Sequence, residues 1–378
     1  MTRPTSLRSL TGLRFVAALL VFLFHITLSN SPIPPNTPIN PFADEGLADW
    51  LEWLFSKAGY LGVSFFFVLS GFVLTWSVKP GERMRAFWRR RLLKIFPNHL
   101  VLFAAAMILF AAAMTPASGW LLNMFLLHSF SPDPTVYVNV NPPSWTLCSE
   151  LLFYMLFPLL LKPIARIREN RLWFWAGVAI LGMVAVQVIN TYLIPDSPRS
   201  PITPISGAQF WFGYIFPAPR LLEFVSGMLL ARLVLSGRFP AINPVLTLVT
   251  VPVGYAVALN VPFMYGFVVA TIIPICLVIG AYATADSQGR RTGLQGPRWH
   301  WLGEISFGFY ICQGVVVFYG RTLFPVDPFS TPVAIGVAVL LFIPTLLAGW
   351  GLYALVERPV MRRWARSTAL IQLQLHAD

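Results

Sequence analysis

Ten apolar runs, each 17 to 23 residues long, follow one another along this chain at 12–30, 60–77, 98–115, 145–161, 172–194, 219–235, 243–260, 263–283, 303–323 and 333–355. A helix of about 20 apolar residues spans the roughly 30 Å hydrocarbon core of a bilayer and satisfies every backbone polar group within itself. The chain is therefore expected to fold as an all-α, polytopic transmembrane helix bundle of about ten spans. Composition points the same way: 56% of the 378 residues are hydrophobic and 11% are charged, against about a quarter charged in soluble domains. That excludes an ordinary cytosolic enzyme, a disordered chain and a secreted disulfide scaffold. Cys148, Cys276 and Cys312 lie singly inside apolar runs, without the clustered spacing of a metal site or a disulfide framework. Only Asn260-Val261-Pro262 separates the 243–283 pair, and 118–130 is apolar but short, suited to a re-entrant or interfacial piece.

The net charge of +12 reads as membrane topology, with no nucleic-acid partner expected. Of the 27 lysines and arginines, only Lys57, Arg199, Arg220 and Arg321 fall outside one alternate set of connections and the two tails. Basic residues in short connections mark the cytoplasmic side, so both termini are expected there. The Pro-rich connections 31–41, 132–143 and 195–204 fall on the opposite side. Residues 1–360 read as one transmembrane domain and 361–378 as a cytoplasmic tail, with no appended soluble domain. Arg14 interrupts the first apolar run and no small-residue cleavage pattern follows it closely, so a retained span is expected in place of a signal peptide. No convincing internal repeat occurs, which withholds support from a transporter built on inverted repeats.

Ionisable groups at membrane depth are costly and point to function by default. Arg14 and His25 lie eleven residues apart, about three turns and roughly 16 Å along nearly one helix face. The first span thus carries a fixed cation toward its inner mouth and a titratable base toward its outer half. A snorkelling arginine and a hydrogen-bonded core histidine explain the same pattern equally well. Glu150 lies five residues after Trp145, about 7 Å in from the outer end of the fourth span, at a depth comparable with that of His25. A carboxylate there can orient an imidazole or serve a helix N-terminus. Arg220 and Glu223, at i and i+3, can pair on one face, as a structural seal or as acceptor-binding groups. His128 is either a surface histidine or part of an acceptor entrance, and Glu357-Arg358-Pro359 ends the last span. In the connection 79–97, Arg83, Arg85, Arg89, Arg90, Arg91 and Lys94 interleave with Phe87, Trp88 and Phe96. They suit lipid head groups and would also suit a phosphorylated donor, because guanidinium forks match phosphate oxygens. No Walker or dinucleotide-binding glycine pattern occurs.

Together these segments resemble the acyltransferase 3 family of integral membrane acyltransferases. Ser9 through His25 is similar to its Arg-x10-His opening, and Leu61 to Phe72 to its Gly-Val-x-Leu-Phe-Phe-Val-Leu-Ser-Gly-Phe signature. Phe87 to Pro97 resembles the family's Arg-rich segment ending in Phe-Pro. Trp145 to Tyr154 resembles Trp-Ser-Leu-x-x-Glu-x-x-Phe-Tyr, with Thr146 where serine is usual. Arg220 to Gly227 matches Arg-x-x-Glu-Phe-x-x-Gly, and Leu302 to Gln313 is similar to a late Ser-x-x-x-Tyr-x-x-His segment. Gln313 stands where that last motif often has histidine, which leaves His25 as the better candidate base.

The resemblance implies transfer of an acyl group, commonly acetyl from acetyl-CoA, to a hydroxyl of a carbohydrate or glycosylated acceptor, without a metal. It places the protein in a bacterial inner membrane. Arg14, Arg89, Arg90, Arg91 and Lys94 would hold the CoA phosphates. His25 would deprotonate the acceptor, oriented by Glu150, with Tyr154, Arg220, Glu223 and His128 on the acceptor side. A His25 acyl intermediate is the mechanistic rival. Cys148 is a poor acyl carrier, being in an apolar setting with no partner nearby in sequence. A cell-envelope polysaccharide unit and a macrolide or other glycosylated metabolite are the acceptor classes. A flippase of lipid-linked glycan is the non-enzymatic alternative, and the bundle is expected to be monomeric.

Overall fold

In a computed structural model the chain is helical throughout, with no strand among the described residues, which are 7–34, 36–78, 81, 83–200 and 203–365. Ten helices of 16 residues or more stand among them. They are α1 (Arg8–Ile26), α2 (Ala58–Trp76), α3 (Met84–Leu109), α4 (Trp145–Arg166), α5 (Leu172–Leu193), α6 (Pro217–Leu235), α7 (Pro244–Asn260), α8 (Ile272–Ser287), α9 (Pro297–Gln313) and α10 (Thr331–Leu352). Each overlaps one of the ten apolar runs. Seven of them (α1 to α5, α9 and α10), some with a flanking turn, are long and apolar enough to cross a membrane. The other three differ for simple reasons. Arg220, Glu223 and Arg232 interrupt α6, while α7 and α8 have 17 and 16 residues, about 24–26 Å at 1.5 Å per residue. Ile108, Leu181, Val249 and Leu355 point outward and exposed. In water such faces would be a liability; a hydrocarbon solvent accounts for them.

Two boundaries change the site. The first run was drawn to residue 30, but α1 ends at Ile26, so His25 lies one residue from the helix end. The Arg-rich stretch, expected as a connection, forms the opening turns of α3 and runs through Pro97. Proline removes the intrahelical donor that would meet the Leu93 carbonyl, yet the helix continues past it, and the Asn98 side chain donates to the neighbouring Lys94 carbonyl at 2.9 Å.

The closest helix crossing joins α2 to α6. A Cβ on Gly71 would overlap the Phe224 carbonyl, and one on Gly227 would overlap that of Val68. Small residues at such a crossing let helix backbones meet, which is how bundles gain contact in a solvent as apolar as their side chains. The glycines of two sequence motifs are therefore one packing contact.

Candidate active site

Where the Pro-rich connections gather, a cavity of about 760 Å³ opens, and nine of its lining residues are proline. Fixed φ angles make such walls stiff. Glu52 and Arg199 are the charged side chains on it among the described residues, apart from the imidazole of His25. His25 Nδ1 lies 2.7 Å from Gln313 Oε1, and Gln313 Nε2 donates to the Ala18 carbonyl at 3.3 Å. The imidazole is flanked by the rings of Phe24 and Phe318, at 5.5 and 4.9 Å.

Local backbone irregularity builds this wall. Trp211–Ile215 and Gly314–Tyr319 are π-helical turns, a widening that recurs at functional sites, and they deliver Tyr214, Ile215, Phe318 and Tyr319 to the cavity. Gly314 is required, because a Cβ there would overlap Asn141 Oδ1. Val140, a β-branched residue at φ 57°, holds a conformation that costs energy. The Tyr319 hydroxyl fixes it by donating to the Val140 carbonyl at 2.9 Å.

A second, narrow pocket of about 40 Å³ lies toward the basic end of the bundle, lined by Arg14, Glu150, Phe66, Phe67, Thr146, Leu147 and Phe307. Val63 and Tyr310 line both spaces and form the partition between them. The Tyr310 hydroxyl donates to the Pro143 carbonyl at 3.2 Å and lies 3.0 Å from Thr146 Oγ1, which ties α9 to the start of α4. Tyr154 donates to Glu150 Oε2 at 3.2 Å, and the Arg91 guanidinium sits 5.7 Å from the Tyr154 ring. Arg14 shares this pocket with Glu150. Lys94 also pairs with Glu357 at 3.6 Å, which Asn98 contacts at 3.4 Å.

Helical spacing sorts the basic segment. Phe87, Arg91, Lys94 and Asn98 share the inward face of α3. Arg89 faces away and donates to the Trp364 carbonyl at 2.6 Å, docking the C-terminal helical turns. Arg90 lines, with Arg91, a separate pocket of about 80 Å³ against Phe157 and Leu161. Of the five expected donor-side residues, Arg14 shares a pocket with Glu150, Arg91 lies beside Tyr154, the partner of Glu150, and Lys94 pairs with Glu357, while Arg89 engages the C-terminal turns and Arg90 lines the separate pocket that Arg91 also reaches.

The expected meeting of His25 and Glu150 does not occur. Ending α1 at Ile26 moves His25 about 6 Å nearer the helix end than the drawn span implied, where Gln313 takes its Nδ1, while Glu150 turns to Tyr154. Tyr154 therefore belongs with the basic cluster and not with the large cavity. Arg220 and Glu223, each 1% exposed, join at 2.9 Å and line neither cavity. The Arg220 guanidinium is 4.8 Å from the Tyr214 ring, one side chain behind the wall. His128 is fully buried, neither surface nor entrance, with Ser144 Oγ at 3.1 Å and Cys148 Sγ at 3.4 Å. Cys148 thus has the partner that sequence proximity did not reveal, although neither residue reaches a cavity. Tyr310, which lines both spaces, is not among the candidate residues the sequence singles out. Its signal was the late motif, in which Tyr310 and Gln313 stand at i and i+3 and so share one helix face.

Among the described residues no three of His, Cys, Asp and Glu gather as a metal site. A helical membrane bundle with a histidine in an open, largely apolar cavity, backed by a narrow pocket holding Arg14 and Glu150, suits a membrane group-transfer protein. Comparison with known proteins gives the family. The acyltransferase domain pattern matches residues 7–354, and the chain belongs to the acyltransferase 3 family, whose members are integral membrane acyltransferases. It is 34% identical over 376 residues to the acyltransferase MdmB of Streptomyces mycarofaciens, covering 96% of this chain and 94% of that protein. It is 26% identical to the exopolysaccharide production protein ExoZ of Rhizobium meliloti, covering 81% of this chain and 90% of that one. It is 22% identical to the putative peptidoglycan O-acetyltransferase YrhL of Bacillus subtilis, of which it covers 57% against 91% of its own length. No solved structure matches the chain.

Proposed function

We propose that this protein is an O-acyltransferase that moves an acyl group, acetyl in the first instance, from acyl-CoA to a hydroxyl of a carbohydrate-bearing acceptor. The observation that carries the reading is the partition. His25 faces a large, nearly uncharged cavity, and across Val63 and Tyr310 lies a pocket framed by Arg14 and Glu150. The donor's phosphates would meet Arg14, Arg91 and Lys94 at the cytoplasmic end, with its thioester directed to the partition. The acceptor would enter from the Pro-rich end. His25 Nε2 would take the hydroxyl proton as the oxygen attacks the thioester carbonyl. The C–S bond then breaks, and the same nitrogen returns the proton to the leaving CoA thiolate. The products are the acyl ester and free CoA. Glu150 acts on the donor side, balancing Arg14 and Lys94. In this reading all ten long helices cross the membrane, both termini are cytoplasmic, and the membrane is the bacterial inner one.

The cavity wall favours one acceptor class. Proline, aliphatic and aromatic side chains dominate it, with Glu52 and Arg199 as its two charges. A glycosylated macrocycle or similar uncharged metabolite suits that lining better than an anionic cell-envelope glycan, whose charges would lose hydration without partners. The test presents detergent-purified protein and acetyl-CoA with a neutral glycosylated macrolide and, separately, with peptidoglycan fragments. Thiol release coupled to acetylation of the macrolide is expected. Acetylation of the glycan fragments alone would transfer the assignment to the polysaccharide class, and saturable glycan transport with no thiol release would replace the enzyme by a flippase.

A further inference from the structure

The partner of His25 is a carboxamide, and its orientation is determined. Gln313 is fully buried and bracketed by two groups, the Ala18 carbonyl at 3.3 Å and His25 Nδ1 at 2.7 Å. A carbonyl oxygen accepts hydrogen bonds and never donates, so the amide nitrogen must face Ala18. Oε1 then faces His25, and being itself only an acceptor it requires a proton on Nδ1. A neutral imidazole carries one proton, so Nε2 is left with its lone pair. Among the described residues Nε2 has no hydrogen-bond partner, while the imidazole lines the cavity. From this juxtaposition we infer that Gln313 is a positioning residue that holds His25 as its Nδ1–H tautomer and presents a basic Nε2 to the acceptor hydroxyl. This rests on His25 being the general base of the proposed transfer.

The choice of an amide has a consequence. A carboxylate at the same place would orient the imidazole equally well, but would also attract and hold the protonated form in a medium of low dielectric. A neutral amide orients without that bias, so the resting base stays unprotonated and no buried charge needs a partner. Phe24 and Phe318 on either side remove competing polar contacts. Gln313 also locks the α9 side of the site to α1 through Ala18, so tautomer and helix packing are set by one side chain.

The test reads the tautomer directly. The full-length protein labelled with 15N-histidine is measured by NMR at mildly alkaline pH, with the His25 signals assigned by their loss in His25→Ala. The expected spectrum has a protonated Nδ1 and an unprotonated Nε2. Gln313→Met, close in shape but without an acceptor, should shift the population toward Nε2–H. It should also lower kcat about ten- to hundredfold, leaving KM for donor and acceptor within about twofold, the mark of a base misaligned rather than of lost binding. Gln313→Glu restores an acceptor and should restore the Nδ1–H form, but because a carboxylate also holds the protonated imidazole, kcat should recover only toward alkaline pH, with the acid limb of its pH profile moved up. An Nε2–H tautomer in the wild type, or a folded Gln313→Met protein with wild-type kcat, would overturn the inference. A fully active His25→Ala would instead refute the general-base reading beneath it, while the NMR result would still report on Gln313.

Discussion

The two ends of this bundle are built from opposite materials. One end gathers Arg14, Arg91, Lys94, Glu150 and Glu357 among its helices. The other surrounds His25 with proline, aromatic and aliphatic side chains on connections and π-helical turns. The cations of the first are of the kind that match phosphate oxygens, and the wall of the second offers shape with almost no charge. The contrast teaches how the proposed transfer would separate binding energy from chemistry. In that reading affinity for an anionic donor resides at one end and the reacting base at the other, with Val63 and Tyr310 lining both spaces.

Variants at each end should therefore fail differently. His25→Ala should lower transfer by on the order of 10²–10⁴-fold in folded protein, without altering donor binding, as measured by thiol release and calorimetry. Arg220→Ala should leave Glu223 as an unpaired buried charge and cost about 3–5 kcal/mol of stability, lowering the thermal unfolding midpoint while surviving folded protein keeps its acceptor KM. Arg14→Ala should raise KM for acetyl-CoA about ten- to hundredfold, the loss of a charged hydrogen bond worth about 1.5–3 kcal/mol, with acceptor KM unchanged. Tyr310→Ala would join the two spaces and should raise the relative use of butyryl-CoA over acetyl-CoA about tenfold, as expected when a pocket gains room for added methylenes. Arg89→Ala should change donor KM by no more than about twofold, because an exposed arginine engaged elsewhere contributes little. An Arg89 effect as large as that of Arg14 would show that the donor lies over the membrane surface and not in the cluster.

How much of this was legible in the sequence depends on the range of the interaction involved. The apolar runs located all ten long helices, because burial in lipid is decided within each segment. Boundaries were less secure. The connection read at 79–97 is helical from Met84, and α3 runs on through Pro97, a continuation that a hydropathy pattern does not report. An α1 that reaches residue 30 would set His25 at the depth of Glu150, whereas the helix ends at Ile26. The partner of His25, Gln313, is 288 residues away in sequence, and in the sequence it stands out only as a departure from a motif. For Arg220 and Glu223 the spacing left a structural seal and acceptor binding both open, and the structure has the pair buried and joined at 2.9 Å behind Tyr214. The glycines of the two packed motifs show the converse, since Gly71 and Gly227 are explained by the α2–α6 crossing with no reference to chemistry.

The central claim, that donor affinity and the reacting base occupy separate chambers, is tested most directly by titrating acetyl-CoA into wild-type, His25→Ala and Arg14→Ala protein in one detergent, with transfer assayed on the same samples. The account predicts that His25→Ala binds acetyl-CoA as the wild type does and forms no ester, while Arg14→Ala binds about ten- to hundredfold more weakly. Equal binding by Arg14→Ala, or ester formation by His25→Ala at the wild-type rate, would contradict it.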